Sequence, residues 1–315
     1  MAYRQKKWTI FIIALLVLGA FGVFHFRPVH GNALVRPFGG LFGFHGVVSA
    51  DGEYGGTIVT IGNKLVAERT AQTKSVTQVP SGSLHVPILM YHHIADVGLE
   101  VDRLQKDLTV SPEVFQTELD WLSQNGYHSV TLEQVYLATQ KQFELPAKPI
   151  VFTFDDGYLD VFINAVPLLA KHHFVGSFAV VPGFFGQSGY TTWELVEQAK
   201  SQGMEMVSHT ETHFDGTSKK FDSEFIRQNL EQSLSELDSH LGHVPRILVY
   251  PYGHFSNEYI NIAKQVGFVM GLTTAYGQFI RSDSLMTTPR VRVHGAGTLD
   301  KFIETLTGIK QFNTK

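Results

Sequence analysis

One stretch of this sequence decides the fold that we expect: Val151-Phe152-Thr153-Phe154-Asp155-Asp156-Gly157. Its first four residues are apolar or β-branched, as in a buried strand, and the run ends abruptly in two carboxylates and a glycine. Consecutive side chains of a strand point to opposite faces, so the two acids at its end can take different roles at one site. An ordinary Asp-Asp-Gly turn after a core strand would have the same sequence. A second motif is needed to distinguish such a turn from a functional site.

The second motif also follows an apolar run. Met204-Glu205-Met206-Val207 leads directly into Ser208-His209-Thr210-Glu211-Thr212-His213. Two imidazoles four residues apart lie on one face of a helical turn or tight loop, and with one carboxylate they form a His/His/Asp set that leaves metal positions open. The chain has 15 histidines, so this spacing can arise by chance. Both motifs follow predicted strands, however, and in a β/α fold that places them at the same carboxyl-end face.

At these residues the sequence resembles the polysaccharide deacetylases, carbohydrate esterase family 4, also called the NodB homology domain. The family's T-F-D-D-G motif is complete at residues 153–157, and its H-[ST]-x-x-H motif is complete at residues 209–213. Its third motif usually reads R-x-P-Y, but here it is Tyr250-Pro251-Tyr252-Gly253, without the arginine. Val86-Pro87-Ile88-Leu89-Met90-Tyr91-His92-His93 is similar to the amino-terminal signature of the circularly permuted branch that includes the poly-N-acetylglucosamine deacetylases. The resemblance covers residues 86 to about 300.

The resemblance implies a metal-dependent active site. It makes Asp156, His209 and His213 the metal ligands, and it makes Asp155 the general base that takes a proton from the attacking water. Zn²⁺ best suits two neutral imidazoles and a carboxylate, while Co²⁺, Ni²⁺, Mn²⁺ and Fe²⁺ stay open because the ligand types do not exclude them. The metal and the backbone N–H of Tyr252 are expected to stabilise the oxyanion, as in relatives.

The proton donor for the leaving amine has two candidates, both histidines, because histidine has the pKa nearest to working pH. His92 matches the acid of the permuted branch, whereas His294 sits roughly where an unpermuted member carries its Leu-x-His motif. We favour His92. The missing third-motif arginine usually orients the base in this family, and Arg290 or Arg292 is a candidate replacement from elsewhere in the fold.

Composition excludes several functional classes. The net charge is −4 with 17% charged residues and no basic block beyond the extreme amino terminus, so a nucleic-acid partner is not expected. The absence of cysteine excludes disulfides and thiolate metal sites, and any metal must therefore use nitrogen and oxygen ligands. A metallohydrolase acting on phosphate esters or peptides would show a second metal cluster or a His-Glu-x-x-His motif, and the sequence shows neither.

The amino-terminal part predicts a membrane anchor and a stalk. Three basic residues within the first seven positions precede residues 8–26, an uncharged and mostly apolar stretch that as a helix would span about 28 Å, close to a bilayer core. A cleaved signal peptide is the alternative, but its apolar region would be shorter and followed by a small-x-small site. Residues 1–27 are predicted to be a cytoplasmic stub and transmembrane anchor, and residues 28–84 an extracytoplasmic stalk with a possible hairpin.

From Val86 onward, strand and helix signals alternate. A helix start is predicted at Ser111-Pro112, and capping boxes are predicted at Thr131-x-x-Gln134 and Thr191-x-x-Glu194. A long surface helix is predicted from Ser223 to Leu241. Repeated βα units imply a mostly parallel sheet. The resemblance makes this α/β domain, residues 85–315, an irregular (β/α) barrel of about seven strands.

The sequence therefore predicts a single-pass cell-membrane protein whose catalytic domain lies outside the cytoplasm. We expect hydrolysis of N-acetyl groups from a GlcNAc-containing cell-surface polysaccharide, with release of acetate, and the branch signature favours poly-N-acetylglucosamine. Deacetylation of N-acetylglucosamine in peptidoglycan is one alternative. Another is a non-catalytic glycan-binding module on the same scaffold, which predicts the loss of a base or ligand, although all of them are present.

Overall fold

A computed structural model describes residues 82–98 and 102–308. They belong to a unit that spans residues 76–315. The predicted transmembrane stretch at residues 8–26 and the possible hairpin of the stalk lie outside the described residues. Within the described ranges, no helix is both long and apolar enough to cross a bilayer.

The described residues form twelve strands, most of them short. In chain order they are β1 Ser83–His85, β2 Ile88–Tyr91, β3 His93–Ile94, β4 Thr109–Val110, β5 His128–Ser129, β6 Pro149–Phe154, β7 Ser177–Val180, β8 Glu205–Ser208, β9 Ile247–Val249, β10 Met270–Tyr276, β11 Phe279–Arg281 and β12 Thr288–Arg292. β1 pairs with β11, β3 pairs with β4, and β5 extends the sheet beside the start of β6.

Seven parallel strands of this described set close into a barrel. Their order is β2, β12, β10, β9, β8, β7 and β6, and the pairing of β2 with β6 joins the two ends of the row. The expected parallel barrel of about seven strands is therefore confirmed for this part of the chain.

Helices connect most of the barrel strands. They are α1 Arg103–Leu108, α2 Pro112–Gln124, α3 Leu132–Thr139, α4 Val166–Lys171, α5 Trp193–Ser201, α6 Ser223–Leu241, α7 Asn257–Val266 and α8 Leu299–Thr307. A π-helical turn, Val161–Ala165, comes immediately before α4, and 3₁₀ turns span Pro182–Phe184, Pro251–Gly253 and Leu285–Thr287. The long surface helix predicted over residues 223–241 is confirmed as α6.

Capping explains most of the helix starts. Ser111 accepts a hydrogen bond at the start of α2, and Thr131 forms the predicted capping box of α3. The capping box predicted at Thr191 is wrong, because α5 begins after Thr192, whose side chain makes no capping hydrogen bond. Thr191 is instead buried, and its N–H donates to the carbonyl of Gly157 at 3.0 Å. This residue therefore ties a neighbouring loop to the Asp-Asp-Gly turn.

Alternation along the barrel strands positions the functional side chains. Outward residues such as Phe152 and Phe154 pack against the helices, whereas inward residues such as Val151 and Val207 fill the barrel. Continuing the inward series past the strand ends gives Asp155 after β6 and His209 after β8. Since the strands are parallel, both side chains arrive at the same mouth of the barrel.

A buried acid outside the barrel makes stability depend on pH. The hydroxyl of Tyr91 donates to Oε2 of Glu118 at 2.8 Å, and Glu118 is only 3% exposed. Burial raises the pKa of Glu118 to about 8. A carboxyl whose pKa is higher in the folded state contributes stability fully below the unfolded pKa, and that contribution is lost as pH rises through the folded value.

The free energy of unfolding is therefore expected to fall by on the order of a few kcal/mol between about pH 5.5 and 8.5, because Glu118 titrates differently in the folded and unfolded states. Glu118→Gln keeps an acceptor for Tyr91 but does not titrate, so it should remove this part of the pH dependence. Urea unfolding at the two pH values measures the effect, and Glu113→Gln, an exposed acid on the same helix, is the matched control. An equal pH dependence in wild type and Glu118→Gln would contradict the prediction.

Candidate active site

Three side chains converge at the mouth of the barrel with the geometry of a metal site. Oδ1 of Asp156 lies 3.1 Å from Nε2 of His209 and 3.1 Å from Nε2 of His213. The candidate ligand atoms all lie within 4.8 Å of one another. An ion bound at about 2.0–2.2 Å to each ligand holds neighbouring ligand atoms roughly 3 Å apart. The donor set therefore fits a divalent metal.

His209 is oriented to bind a metal through Nε2. Its Nδ1 lies 2.7 Å from the backbone carbonyl of Val249, to which it donates, and this hydrogen bond leaves Nε2 with the free lone pair. Burial alone would raise the pKa of Asp156, but its hydrogen bonds with His209 and His213 outweigh burial and hold that pKa well below its ordinary value. The carboxylate is therefore ionised, as a ligand must be.

The turns that carry the site have unusual backbone conformations. Four non-glycine residues have positive φ: Asp156 at 74°, Thr210 at 67°, His213 at 53° and Tyr252 at 60°. Such conformations cost on the order of 1–3 kcal/mol each and persist where the surrounding structure enforces them. In Asp156 the turn redirects a side chain that strand alternation would aim away from the barrel axis. Both carboxylates of the motif can therefore face the mouth.

Asp155 is a buried carboxylate held by one arginine. Nη1 and Nη2 of Arg290 each donate to one oxygen of Asp155 at 2.7 Å, and neither side chain is more than 4% exposed. Arg290 itself is fixed by the carbonyl of Thr273 at 2.9 Å and the hydroxyl of Thr153 at 3.0 Å. Burial raises the pKa of Asp155, but the ion pair with Arg290 outweighs it and the net shift is downward. A residue of β12 thus pairs with Asp155 in a chain whose third motif has no arginine.

His92 directly follows β2, at the strand end beside the two carboxylates. The N–H of Asp155 donates to the carbonyl of Tyr91 at 3.0 Å, so the ends of β2 and β6 lie side by side. Burial lowers the pKa of His92, and the nearby charges of Asp155 and Asp156 partly offset that effect. The structure therefore brings His92 next to both acids of the motif.

His294 lies in a different cluster. Its Nδ1 is 2.7 Å from Oδ1 of Asp107, which also pairs with Arg292 at 2.7 Å. The His294 side chain is 56% exposed, and the N–H of Gly295 donates to the carbonyl of Asp107 at 2.9 Å. These contacts bind the loop after β12 to α1, outside the group formed by the metal ligands.

Tyr252 borders the metal ligands. Its ring centre lies 4.7 Å from that of His213, and the residue is 57% exposed. The next residue, Gly253, has φ 74°, and a Cβ there would lie 2.2 Å from the Oγ1 atom of Thr274. Close packing therefore fixes this turn. The oxyanion role of the Tyr252 N–H stays a prediction.

Comparison with known proteins agrees with this geometry. The family model described as Polysaccharide deacetylase matches residues 143–271, which include the two acids after β6 and the two histidines after β8. This chain carries a polysaccharide deacetylase domain.

Several relatives support the assignment. YxkH of Bacillus subtilis (strain 168), assigned provisionally as a polysaccharide deacetylase, is 27% identical over 208 residues, which cover 66% of this chain and 71% of YxkH. The poly-beta-1,6-N-acetyl-D-glucosamine N-deacetylase of Escherichia coli (strain K12) is 24% identical over 264 residues, which cover 71% of this chain but only 38% of that protein. The structure of Streptococcus pyogenes deacetylase PplD in complex with acetate aligns with a TM-score of 0.66 and 25% identity, over 71% of this chain and 98% of PplD. Deacetylases are hydrolases, and this deacetylase is classed with them.

The sequence interpretation missed two side chains of the deacetylase site. The Thr153 hydroxyl accepts a hydrogen bond from Arg290 and donates one to the carbonyl of Leu89 at 2.7 Å, so it helps to hold the Arg290 guanidinium in place. Tyr158 stacks on His93 with ring centroids 3.8 Å apart, and it lies near enough to Asp156 for that charge, after burial, to raise the pKa of Tyr158. The available signals were a polar residue within an apolar strand and an aromatic residue directly after the Asp-Asp-Gly turn.

Proposed function

We propose that this deacetylase hydrolyses N-acetyl groups of a GlcNAc-containing polysaccharide in a metal-dependent reaction, giving an amine and acetate. The observation that carries the proposal is the pairing of the Arg290-held Asp155 with the adjacent ligand set of Asp156, His209 and His213. Relatives named as poly-beta-1,6-N-acetyl-D-glucosamine N-deacetylases support that polymer as the substrate. Peptidoglycan is the alternative substrate.

A divalent metal held by Asp156, His209 and His213 would supply Lewis-acid activation of water and of the acetamide carbonyl. The chain's own residues then handle the protons. Asp155 accepts the proton of the attacking water, since its lowered pKa keeps it ionised near neutral pH. The two hydrogen bonds from Arg290 hold its oxygens in one orientation, which limits the entropy lost during the reaction.

Expulsion of the amine needs a proton on the nitrogen. We assign this role to His92, which follows β2 beside the end of β6 and is near enough to Asp155 and Asp156 for their charges to raise its pKa against the effect of burial. In our proposal the backbone N–H of Tyr252 donates to the acetamide oxygen as negative charge develops there. Its turn is fixed by the packing of Gly253 against Thr274, so the donor needs little reorganisation.

Acetate release by the purified full-length protein tests the proposal. Incubation with poly-β-1,6-N-acetylglucosamine should release acetate, exhaustive chelation should abolish the release, and Zn²⁺ or Co²⁺ should restore it, because the Asp/His/His set needs its ion. Asp156→Ala is the matched control, and added metal should not restore its activity. Full turnover in metal-free protein would contradict the mechanism.

The same assay separates the alternatives. Peptidoglycan and chitin oligomers are offered in parallel at equal N-acetyl concentration. Acetate release from peptidoglycan alone would favour the alternative substrate. Binding of glycan without acetate release by metal-loaded protein would favour the non-catalytic module.

A further inference from the structure

We infer that two polar residues of helix α6, Asn229 and Ser233, are positioning residues for the turn that carries two of the metal ligands. That turn runs from His209 to His213. This role depends on the proposed metal-dependent function, and it belongs to residues other than the ligands, the base and the acid. Hydrogen bonds from α6 hold the turn, and with it the two imidazoles, in place before an ion binds.

Asn229 and Ser233 interrupt an otherwise apolar face of α6. The buried residues of this helix are Ile226, Asn229, Leu230, Ser233, Leu234 and Leu237. Residues four apart are neighbours on one side of a helix, so the two polar side chains lie one turn apart along the same face. Asn229 is 6% exposed and Ser233 is 0% exposed. Buried polar groups are costly unless they are hydrogen-bonded, and their partners therefore indicate their role.

Asn229 binds the middle of the turn. Its Oδ1 accepts the backbone N–H of Glu211 at 2.9 Å, and its Nδ2 donates to Oγ1 of Thr212 at 2.8 Å. The carbonyl of Glu211 accepts the N–H of Gly183 at 3.1 Å, from the 3₁₀ turn that follows β7. The backbone of Glu211, midway between the two histidine ligands, is therefore held by two different elements.

Ser233 binds the start of the turn. Its hydroxyl lies 2.8 Å from the hydroxyl of Ser208, the last residue of β8. Oγ of Ser208 in turn accepts the backbone N–H of Thr210 at 3.1 Å. Ser208, Thr210 and Ser233 are each 0% exposed, so these hydrogen bonds are shielded from solvent. The two side chains of α6 thus reach the turn at both its start and its middle.

The turn needs such support because its backbone is strained. Thr210 has φ 67° and His213 has φ 53°, and Thr210 is β-branched, which makes a positive φ especially unfavourable. The N–H of His213 donates to Oγ1 of Thr210 at 2.9 Å, so the two strained residues are joined. Strained conformations of this kind persist only where the surrounding structure enforces them. The contacts with α6 act on the residues between and beside these two.

The two histidine ligands do not depend equally on α6. His209 directly follows β8, its N–H donates to the carbonyl of Val180 at 2.9 Å, and its Nδ1 donates to the carbonyl of Val249 at 2.7 Å. His213 is four residues further along the turn, and its N–H donates within the turn. Loss of Asn229, which binds the two residues before His213, should therefore affect the metal site more than loss of Ser233.

The metal affinity of the full-length protein tests this role. Asn229→Ala removes both contacts with the middle of the turn, so we expect its Zn²⁺ dissociation constant to rise about 10- to 100-fold, the usual effect of losing an outer partner of a ligand. Competition with a chromogenic chelator measures this constant. The absorption spectrum of the Co²⁺-loaded variant should shift as well, because the ligand geometry changes. Ser233→Ala should weaken binding less, since His209 keeps its bonds to Val180 and Val249.

Two further variants control the measurement. Thr212→Val breaks one Asn229 hydrogen bond from the side of the turn, so its dissociation constant should rise about 2- to 10-fold, and it carries the test if Asn229→Ala does not fold. Leu234→Ala is the matched control, because it removes packing from the same buried face of α6 but no hydrogen bond to the turn. Its dissociation constant should equal that of the wild type. Urea unfolding of the metal-free variants shows which of them are folded in the assay.

The outcomes are distinct. Wild-type dissociation constants in Asn229→Ala and Thr212→Val would overturn the inference and leave the proposed function intact. An equal rise in Leu234→Ala would indicate a general packing effect and would overturn the inference as well. Wild-type protein that binds neither Zn²⁺ nor Co²⁺ would overturn both the inference and the proposed metal-dependent function.

Discussion

Replacing Arg290 with methionine is expected to destabilise the deacetylase domain by about 3–5 kcal/mol and to impair the general base. The guanidinium is the partner of the buried Asp155 carboxylate, and its removal leaves that charge uncompensated in the barrel. The same change raises the pKa of Asp155, because burial then acts without the opposing ion pair. The acid side of the pH profile of kcat/KM should move to higher pH. Urea unfolding and acetate release across pH measure the two effects.

Two variants control this prediction. Asp155→Asn combined with Arg290→Met removes both charges, so it should recover much of the lost stability while staying inactive. Arg292→Met removes an arginine from the same strand whose partner, Asp107, is 35% exposed, and it should cost only about 0–1 kcal/mol. Wild-type stability with an unshifted pH profile in Arg290→Met would mean that Arg290 does not hold the base.

The second large effect concerns the proton donor. His92→Ala should lower kcat by roughly 10²- to 10⁴-fold, the usual effect of losing a general acid, and should leave metal content unchanged. His294→Ala is the matched control, because that histidine contacts Asp107 on the rim rather than the two acids of the motif. It should cost little beyond the lost ion pair. Metal analysis and kcat for the two variants, measured side by side, separate the candidates.

The opposite pattern would be informative as well. If His294→Ala lost activity and His92→Ala kept it, the similarity of residues 86–93 to the permuted branch would have identified the wrong general acid. The preference for an exopolysaccharide over peptidoglycan would then weaken. Loss of metal in His92→Ala would instead place His92 among the residues that shape the metal site.

The features that sequence predicted well are local. The strand that ends at Phe154, the cap at Ser111 and the span of α6 each follow from residues within one or two turns of the chain. The shared mouth of the barrel followed as well, because parallel strands deliver the residues after their carboxyl ends to one face.

The partner of the base could not be chosen from sequence. Arg290 and Arg292 lie two residues apart on β12, so strand alternation gives them the same face. The two arginines differ in their position along the barrel axis. Arg292 pairs with Met90 of β2, near the carboxyl end of the strands. Arg290 lies two residues further from that end, and its side chain extends toward it to bind Asp155. Depth is set by the register between strands that are distant in sequence, and no local pattern records it.

The capping box at Thr191 failed for a related reason. Its backbone is used by the loop that follows β6, through the hydrogen bond to Gly157, and that tertiary contact delays the helix by one residue. Tyr158 was missed because the rings that stack on it, His93 and Tyr190, come from distant parts of the chain. In both cases contacts between loops outweigh local preference.

The pairing of the first and last barrel strands has a consequence for biosynthesis. Asp155 and Arg290 are 135 residues apart, so at typical synthesis rates the acid leaves the ribosome roughly 7–30 s before its counterion does. Until β12 is added, β2 lacks a partner on one side, and β10 lacks one as soon as it has been synthesised. The entry of β12 into the sheet therefore has two effects at once. It supplies the arginine that pairs with Asp155, and it pairs the open edges of β2 and β10, which could otherwise pair with other chains.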